Sequence, residues 1–332
     1  MASQFLILSS WRGDLREYTL LMQTLDCARR LSVVLLLLSS LTALPALGWG
    51  NDGHRMINRL AGSALPADVP AFLRTPAALD ALVYYAPEPD RWRSPAEPEL
   101  NAAQAPEHFI DLEYADLAGP LPRRRYDYIR ALAVAQAAHP NLPLSPEKVG
   151  LQPYVTNEVY ERLQSAFRDY RALLAARQNT RPSEAEIIFL AGWLGHYVGD
   201  GSMPLHTTIQ YNGWTGPNPH GYTTEHHIHA QFETVFVAAN VKLADVAPLV
   251  AATKPTALKD AFADYLAYLR HSNSLVEETY RLDKQGAFSE SGTPAGKALV
   301  VRQLAAAAIE LRDTIYTAWI KSADPVPAYR EN

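Results

Sequence analysis

From Trp49 onward, apolar residues recur three and four positions apart through most of the chain, the spacing of a helix that buries one face. The clearest stretch is Ser183 to Asp200, SEAEIIFLAGWLGHYVGD. It reads as a helix with Ser183 at the N-cap and Glu186 at the capping-box position. Similar spacing predicts helices over Asn157 to Arg177, Glu225 to Ala239, Leu258 to Leu282 and Pro294 to Ile320. No segment sustains the period-two alternation with hairpin turns that marks strands. Prolines in Pro87 to Pro98 and Pro140 to Pro153, and the Asn/Gly/Pro run Tyr211 to Gly221, mark loops between helices. The pattern predicts an all-α fold, one mostly helical domain over 49–323, and a short tail over 324–332.

The first 48 residues follow a different rule. Leu31 to Leu44 (LSVVLLLLSSLTAL) is an apolar run of 14 residues, preceded by Arg29 and Arg30 and followed by the small residues Ala46 and Gly48. These are the three parts of a secretory signal, and the run falls short of the about 20 apolar residues of a membrane span. Residues 1–48 are therefore expected to be a signal peptide, removed before Trp49 in a secreted or periplasmic protein. Retention as a tether is the alternative. Translation from Met22 would give a presequence of ordinary length.

Composition narrows the function. Lys and Arg total 30 against 35 Asp and Glu, a net charge of -5, which excludes a basic coat for duplex DNA. Removal of 1–48 takes four basic and three acidic residues, leaving 26 against 32, or -6. It also removes Cys27, the one cysteine, so the mature chain has no thiol for a disulfide, a zinc thiolate or nucleophilic catalysis.

All ten histidines lie beyond Gly48. His196 and Asp200 sit four apart, on one face of the expected helix. His229 and Glu233 repeat that spacing, and His206 lies between the pairs. Such pairs can present a nitrogen and an oxygen to one cation or two adjacent ones. Upstream, Trp49 offers an α-amino nitrogen and a carbonyl once freed, with His54 five residues on. Asp90 (PEPDRWR) and His108 (PEHFID) complete a sulfur-free set that suits zinc in catalytic sites.

WGxxGH, DRW, HFID, GHYVGDGSMPLH and HxxxE together resemble the zinc-dependent S1/P1 nuclease family, grouped with zinc phospholipase C in one all-helical superfamily. The resemblance implies three zinc ions. Asp90, His108, His196 and Asp200 would hold the first; His206, His229 and Glu233 the second. Trp49 through its amine and carbonyl, with His54 and a bridging Asp200, would hold the third. Two positions depart from the nuclease pattern. Glu233 stands where nucleases usually have Asp and phospholipases have Glu, and NGWTGPNPHGYTTEHH replaces the Gly-Gly-Asn block between His206 and His229.

The implied activity is hydrolysis of phosphodiester bonds in single-stranded DNA or RNA, and of 3′-nucleotides, by a zinc-activated hydroxide. Zinc brings the pKa of bound water from about 15.7 to near 7. Asp200 and Asp111 are the expected catalytic carboxylates, Asp111 orienting the hydroxide or binding substrate; a helix cap or ion-pair partner is its alternative role. Phe109 matches a base-stacking position, and Tyr211, Trp214 and Tyr222 are further walls for a base or a lipid headgroup. Glu225 is expected to support the other ring nitrogen of His229, and His226 to meet phosphate or solvent. His227, His139, His220 and His271 read as surface or loop residues. A zinc phospholipase C, or another phosphodiesterase on the same scaffold, is the near rival, with phospholipid headgroups as its substrate. A non-catalytic secreted zinc-binding protein is the distant one. No protein partner is implied.

Overall fold

The computed structural model describes residues 49–326. The expected signal peptide and the end of the tail lie outside the described residues. The helices of nine residues or more are α1 (Gly50–Ser63), α2 (Pro76–Tyr85), α3 (Arg125–Ala138), α4 (Gln152–Ala175) and α5 (Arg181–Ser202). They continue with α6 (Leu243–Ala251), α7 (Ala261–Asn273), α8 (Val276–Lys284) and α9 (Pro294–Lys321). Shorter helical segments and loops join them, and among the described residues the only extended pairings are isolated bridges at Ile110–Gly150 and Tyr211–Gly213. The fold is all-α, as the periodicity predicts.

Helix α5 is the spine. It packs against α1, α2, α4, α7 and α9, and so it carries no solvent face over its last turns. His196 through Ser202 are all buried. A helix apolar on every side is an interior helix. Fully buried Asn58 ties α1 to both neighbours, donating from its amide to the carbonyls of Leu82 and Gly192, each at 2.9 Å.

Four boundaries depart from expectation, for local reasons. Helix α5 begins at Arg181, because Pro182 suits a first turn. Ser183 is thus inside the helix, where its hydroxyl donates to the Ala166 carbonyl at 3.2 Å. Helix α4 starts at Gln152, with Pro153 in its first turn rather than in a loop. The Leu258–Leu282 stretch is two helices; Ser274 turns its hydroxyl to the His271 carbonyl at the break. The Glu225–Ala239 stretch becomes helical only at Ile228, and its middle, Gln231–Val235, is a π-turn.

Glu310 on α9 is half-buried, with its Oε1 buried and unpartnered. Burial, reinforced by Asp313 and Asp264, lifts its carboxyl from 4.5 to about 7. A folded pKa above the unfolded one gives stability that is present below about 4.5 and lost as pH rises through about 7, at most about 3 kcal/mol. Glu310→Gln is expected to leave stability unchanged at pH 4 and to raise it by about 1–3 kcal/mol at pH 8. Urea unfolding at the two pH values measures this; equal shifts at both would contradict the assignment.

Candidate metal centre

Four segments meet on the inner face of α5. The single turn Glu88–Arg91, which follows α2, supplies Asp90. A 3₁₀ turn, Ala105–His108, ends at His108, and another, Pro204–His206, follows α5 directly. The Ile228–Ala230 turn and the π-turn after it carry His229 and Glu233. A π-turn inside a helix is a frequent mark of a functional site. Gly150 fixes the His108 segment. At φ +94° it passes so close that a Cβ would lie 2.0 Å from the Phe109 carbonyl.

His108 Nδ1 lies 3.0 Å from His196 Nε2, 3.1 Å from Asp200 Oδ2 and 3.7 Å from Asp90 Oδ1. His196 Nε2 lies 3.4 Å from Asp200 Oδ2 and 3.7 Å from Asp90 Oδ1. In the second cluster, His206 Nε2 and His229 Nε2 are 3.1 Å apart, and Glu233 Oε2 is 3.5 and 3.3 Å from them. Arms of about 2.0–2.1 Å around tetrahedral zinc give ligand–ligand edges of about 3.3–3.4 Å. Both clusters have edges of that size.

The supports on the far side of each ring set which nitrogen is available. His196 Nδ1 donates to the Ala86 carbonyl at 3.0 Å, His206 Nδ1 to that of His108 at 2.7 Å, and His229 Nδ1 to that of Tyr211 at 2.9 Å. Each bond leaves the Nε2 lone pair pointing into its cluster, the arrangement that orients metal-binding imidazoles. Glu225 does not play this part: it precedes the helical turn, so the Tyr211 carbonyl takes its place.

Asp200 joins two groups. Its Oδ2 faces His108 and His196, while its Oδ1 lies 3.4 Å from His54 Nε2. The His54 ring stacks on His196 at 4.0 Å, and its ligand atoms also group with those of Asp90 and His196. Trp49 is anchored alongside, its indole Nε1 donating to Gly199 O at 2.7 Å and Ser202 Oγ at 2.8 Å. The Trp49 carbonyl accepts from Gly53 N, which leaves it a second lone pair. A cavity of about 250 Å³ opens beside Trp49 and Glu233, with Arg55 and Asp52 on its wall.

The electrostatics suit a cation. Both oxygens of Asp90 and of Glu233, Asp200 Oδ1 and both His54 nitrogens are buried without hydrogen-bond partners. Natural proteins satisfy such groups, and divalent metal would satisfy the carboxylate oxygens and one nitrogen of His54. Burial pushes the Asp90 carboxyl up, partly offset by His108. Burial opposes ionisation of Asp200 too, yet His196 and His206 hold it well below the usual carboxylate range. Burial alone would lower His206, but Asp200 and Glu233 lift it to about 9. Without metal, this imidazole carries the compensating proton.

The other expected residues fall unevenly. Asp111 occupies the N-cap of the turn Leu112–Ala115 without a capping hydrogen bond. Burial, reinforced by Glu113, raises its carboxyl to about 8. Phe109 follows His108 half-buried. Tyr211 is 55% exposed, and its ring meets that of His229 edge-on at 6.3 Å. Trp214 packs against Tyr222 and Tyr280 at 4.9 and 5.2 Å. His226 is exposed and donates to the Asn212 carbonyl; His227, His139, His220 and His271 are exposed as well.

Two residues escaped the sequence reading. Arg93, half-buried beside Asp90, has its Nε buried without a partner and forms no ion pair among the described residues. Its place in PEPDRWR was the available signal. Tyr197 sets its ring edge-on to His108 and His196 and donates its hydroxyl to Gln104 Oε1 at 2.9 Å. Only the fold reveals it.

Gly199 has no room for a methyl group. A Cβ there would lie 2.8 Å from His54 Nδ1 and 3.2 Å from Ile57 Cδ1. Gly199→Ala is expected to displace the His54 ring and cost at least about 10-fold in activity, the scale of a disturbed metal support. It should also lose up to one bound metal ion per chain, read by elemental analysis. Wild-type activity and metal content would show that the ring is not held there.

A family model, S1/P1 nuclease, matches residues 49–325. Among solved structures, the chain is similar to the alpha-toxin of Clostridium perfringens isolated from avian strain SWCP. The identity is 14%, over 86% of this chain and 67% of that one, with a TM-score of 0.38. No curated protein matches the chain.

Proposed function

Because the chain belongs to the S1/P1 nuclease family, whose members are zinc-dependent hydrolases of phosphate esters, we propose that it is a secreted trinuclear-zinc nuclease. Its substrates on this reading are single-stranded DNA and RNA, with 3′-nucleotides as small substrates. The observation that carries the reading is Asp200, whose two buried oxygens face different imidazoles, Oδ2 those of His108 and His196 and Oδ1 that of His54. A carboxylate so placed suits a bridge between two cations, with His206, His229 and Glu233 holding a further one.

Bound zinc supplies a nucleophilic water near neutral pH and neutralises the phosphoryl and leaving oxygens. The protein's own groups do the rest. Arg93, beside Asp90 and without an ion pair among the described residues, is assigned a phosphoryl oxygen of the substrate. Asp111 is assigned the orientation of the attacking water. Phe109 and Tyr211, next to His108 and close to His229, provide faces for unstacked bases; such stacking contributes about 1–3 kcal/mol per base and tolerates any sequence. Export and cleavage after Gly48 would free the Trp49 amine as a ligand alongside His54.

Glu233 and the replaced Gly-Gly-Asn block favour a phospholipase C as the second reading. The test compares single-stranded DNA, RNA, a 3′-mononucleotide and phosphatidylcholine, using exported protein whose N-terminus has been sequenced. Turnover of the nucleic acids, and a chain beginning at Trp49, are expected. Turnover of the lipid alone would establish the rival, and a different N-terminus would remove the amine ligand.

A further inference from the structure

The His108 and His206 segments are laced to each other by hydrogen bonds that serve both clusters. His206 Nδ1 donates to the His108 carbonyl at 2.7 Å, and Ile110 N donates back to the His206 carbonyl at 2.9 Å. Beyond them, the Glu113 carboxylate accepts from the buried Thr208 hydroxyl at 2.5 Å and from Ile209 N at 3.1 Å. Each metal-facing histidine thus sits on a segment that the other segment holds. Neither Glu113 nor Thr208 has a side-chain atom in a ligand group.

We propose that Glu113 and Thr208 are positioning residues that couple metal loading of the two clusters, by clamping the His206 segment onto the His108 segment. The inference rests on the reading that both clusters hold zinc. An ion at the first cluster fixes the His108 ring and the main chain behind it. That carbonyl then holds His206 with its Nε2 directed at the second cluster. The second ion meets a segment already ordered and pays less ordering entropy, which is positive cooperativity. Two ions should therefore load and leave as a pair.

Native mass spectrometry of the mature protein during stepwise zinc addition reads this directly. In the wild type, the form lacking one member of the pair should be scarce. Thr208→Val keeps the shape and loses the donor; it should let that form accumulate and weaken one ion by about tenfold in chelator competition. Thr208→Ser loses the methyl group and keeps the hydroxyl, and it should behave as wild type. Loss of packing alone would reverse that order and overturn the proposal. Glu113→Ala lies at an exposed position, so it supplies the same test if Thr208→Val fails to fold. Statistical, independent loading in the wild type would overturn the coupling but leave the metal assignment standing. Absence of bound zinc would overturn both.

Discussion

Asp200→Asn is expected to abolish turnover of single-stranded DNA while the chain still folds. Loss of a partner behind a metal ligand costs about 10–100-fold, and on the proposed reading this residue is itself a ligand facing two groups, so the loss should exceed that range. The substitution preserves volume at a fully buried position. It removes the charge that His54, His108 and His196 surround and leaves an amide nitrogen where one of them needs an acceptor. Metal content should fall with activity. Elemental analysis and kcat on the same preparation provide the check; an active variant with full metal would end the bridging role.

Chelation should inactivate and also destabilise the wild-type protein. Stripped of cations, Asp90, Asp200 and Glu233 keep five carboxylate oxygens buried without partners. Each unsatisfied buried group costs about 1–3 kcal/mol, more when charged. At about 2–4 °C per kcal/mol for chains approaching this size, Tm should drop by at least about 10 °C in EDTA and recover with zinc. The pH dependence has a definite sign. Zinc must displace the proton that His206 holds up to about pH 9, so affinity at the second cluster should rise between pH 6 and 9. A melting curve insensitive to EDTA, or an affinity falling with pH, would contradict this account.

The sequence disclosed more of the ligand set than of its supports. His196 with Asp200, and His229 with Glu233, were legible because helical spacing alone puts each pair on one face. Asp90, His108, His206 and His54 stood out through the motifs around them. The helix over Pro294 to Ile320 was readable to within a residue, since a long apolar stripe leaves little choice. The start of α5 was not, because Ser183 and Pro182 compete for the first turn and only packing against α4 settles it. Glu225 failed as a support for His229 because its stripe exists only on a helix, and the chain there is still a turn. Tyr197 acts through His108 and Gln104, far away in the chain, a relation that local spacing does not carry. Arg93 stands in the Asp90 motif, where spacing alone does not tell a surface arginine from a half-buried one.

The hydrogen bond that orients His229 ends on the main chain of Tyr211, and every amino acid brings a carbonyl. The aromatic ring at 211, more than half exposed beside His229, can therefore be exchanged by mutation without unseating that imidazole. If Tyr211 meets the substrate as proposed, such a separation lets substrate preference drift, or be redesigned, around an unchanged imidazole.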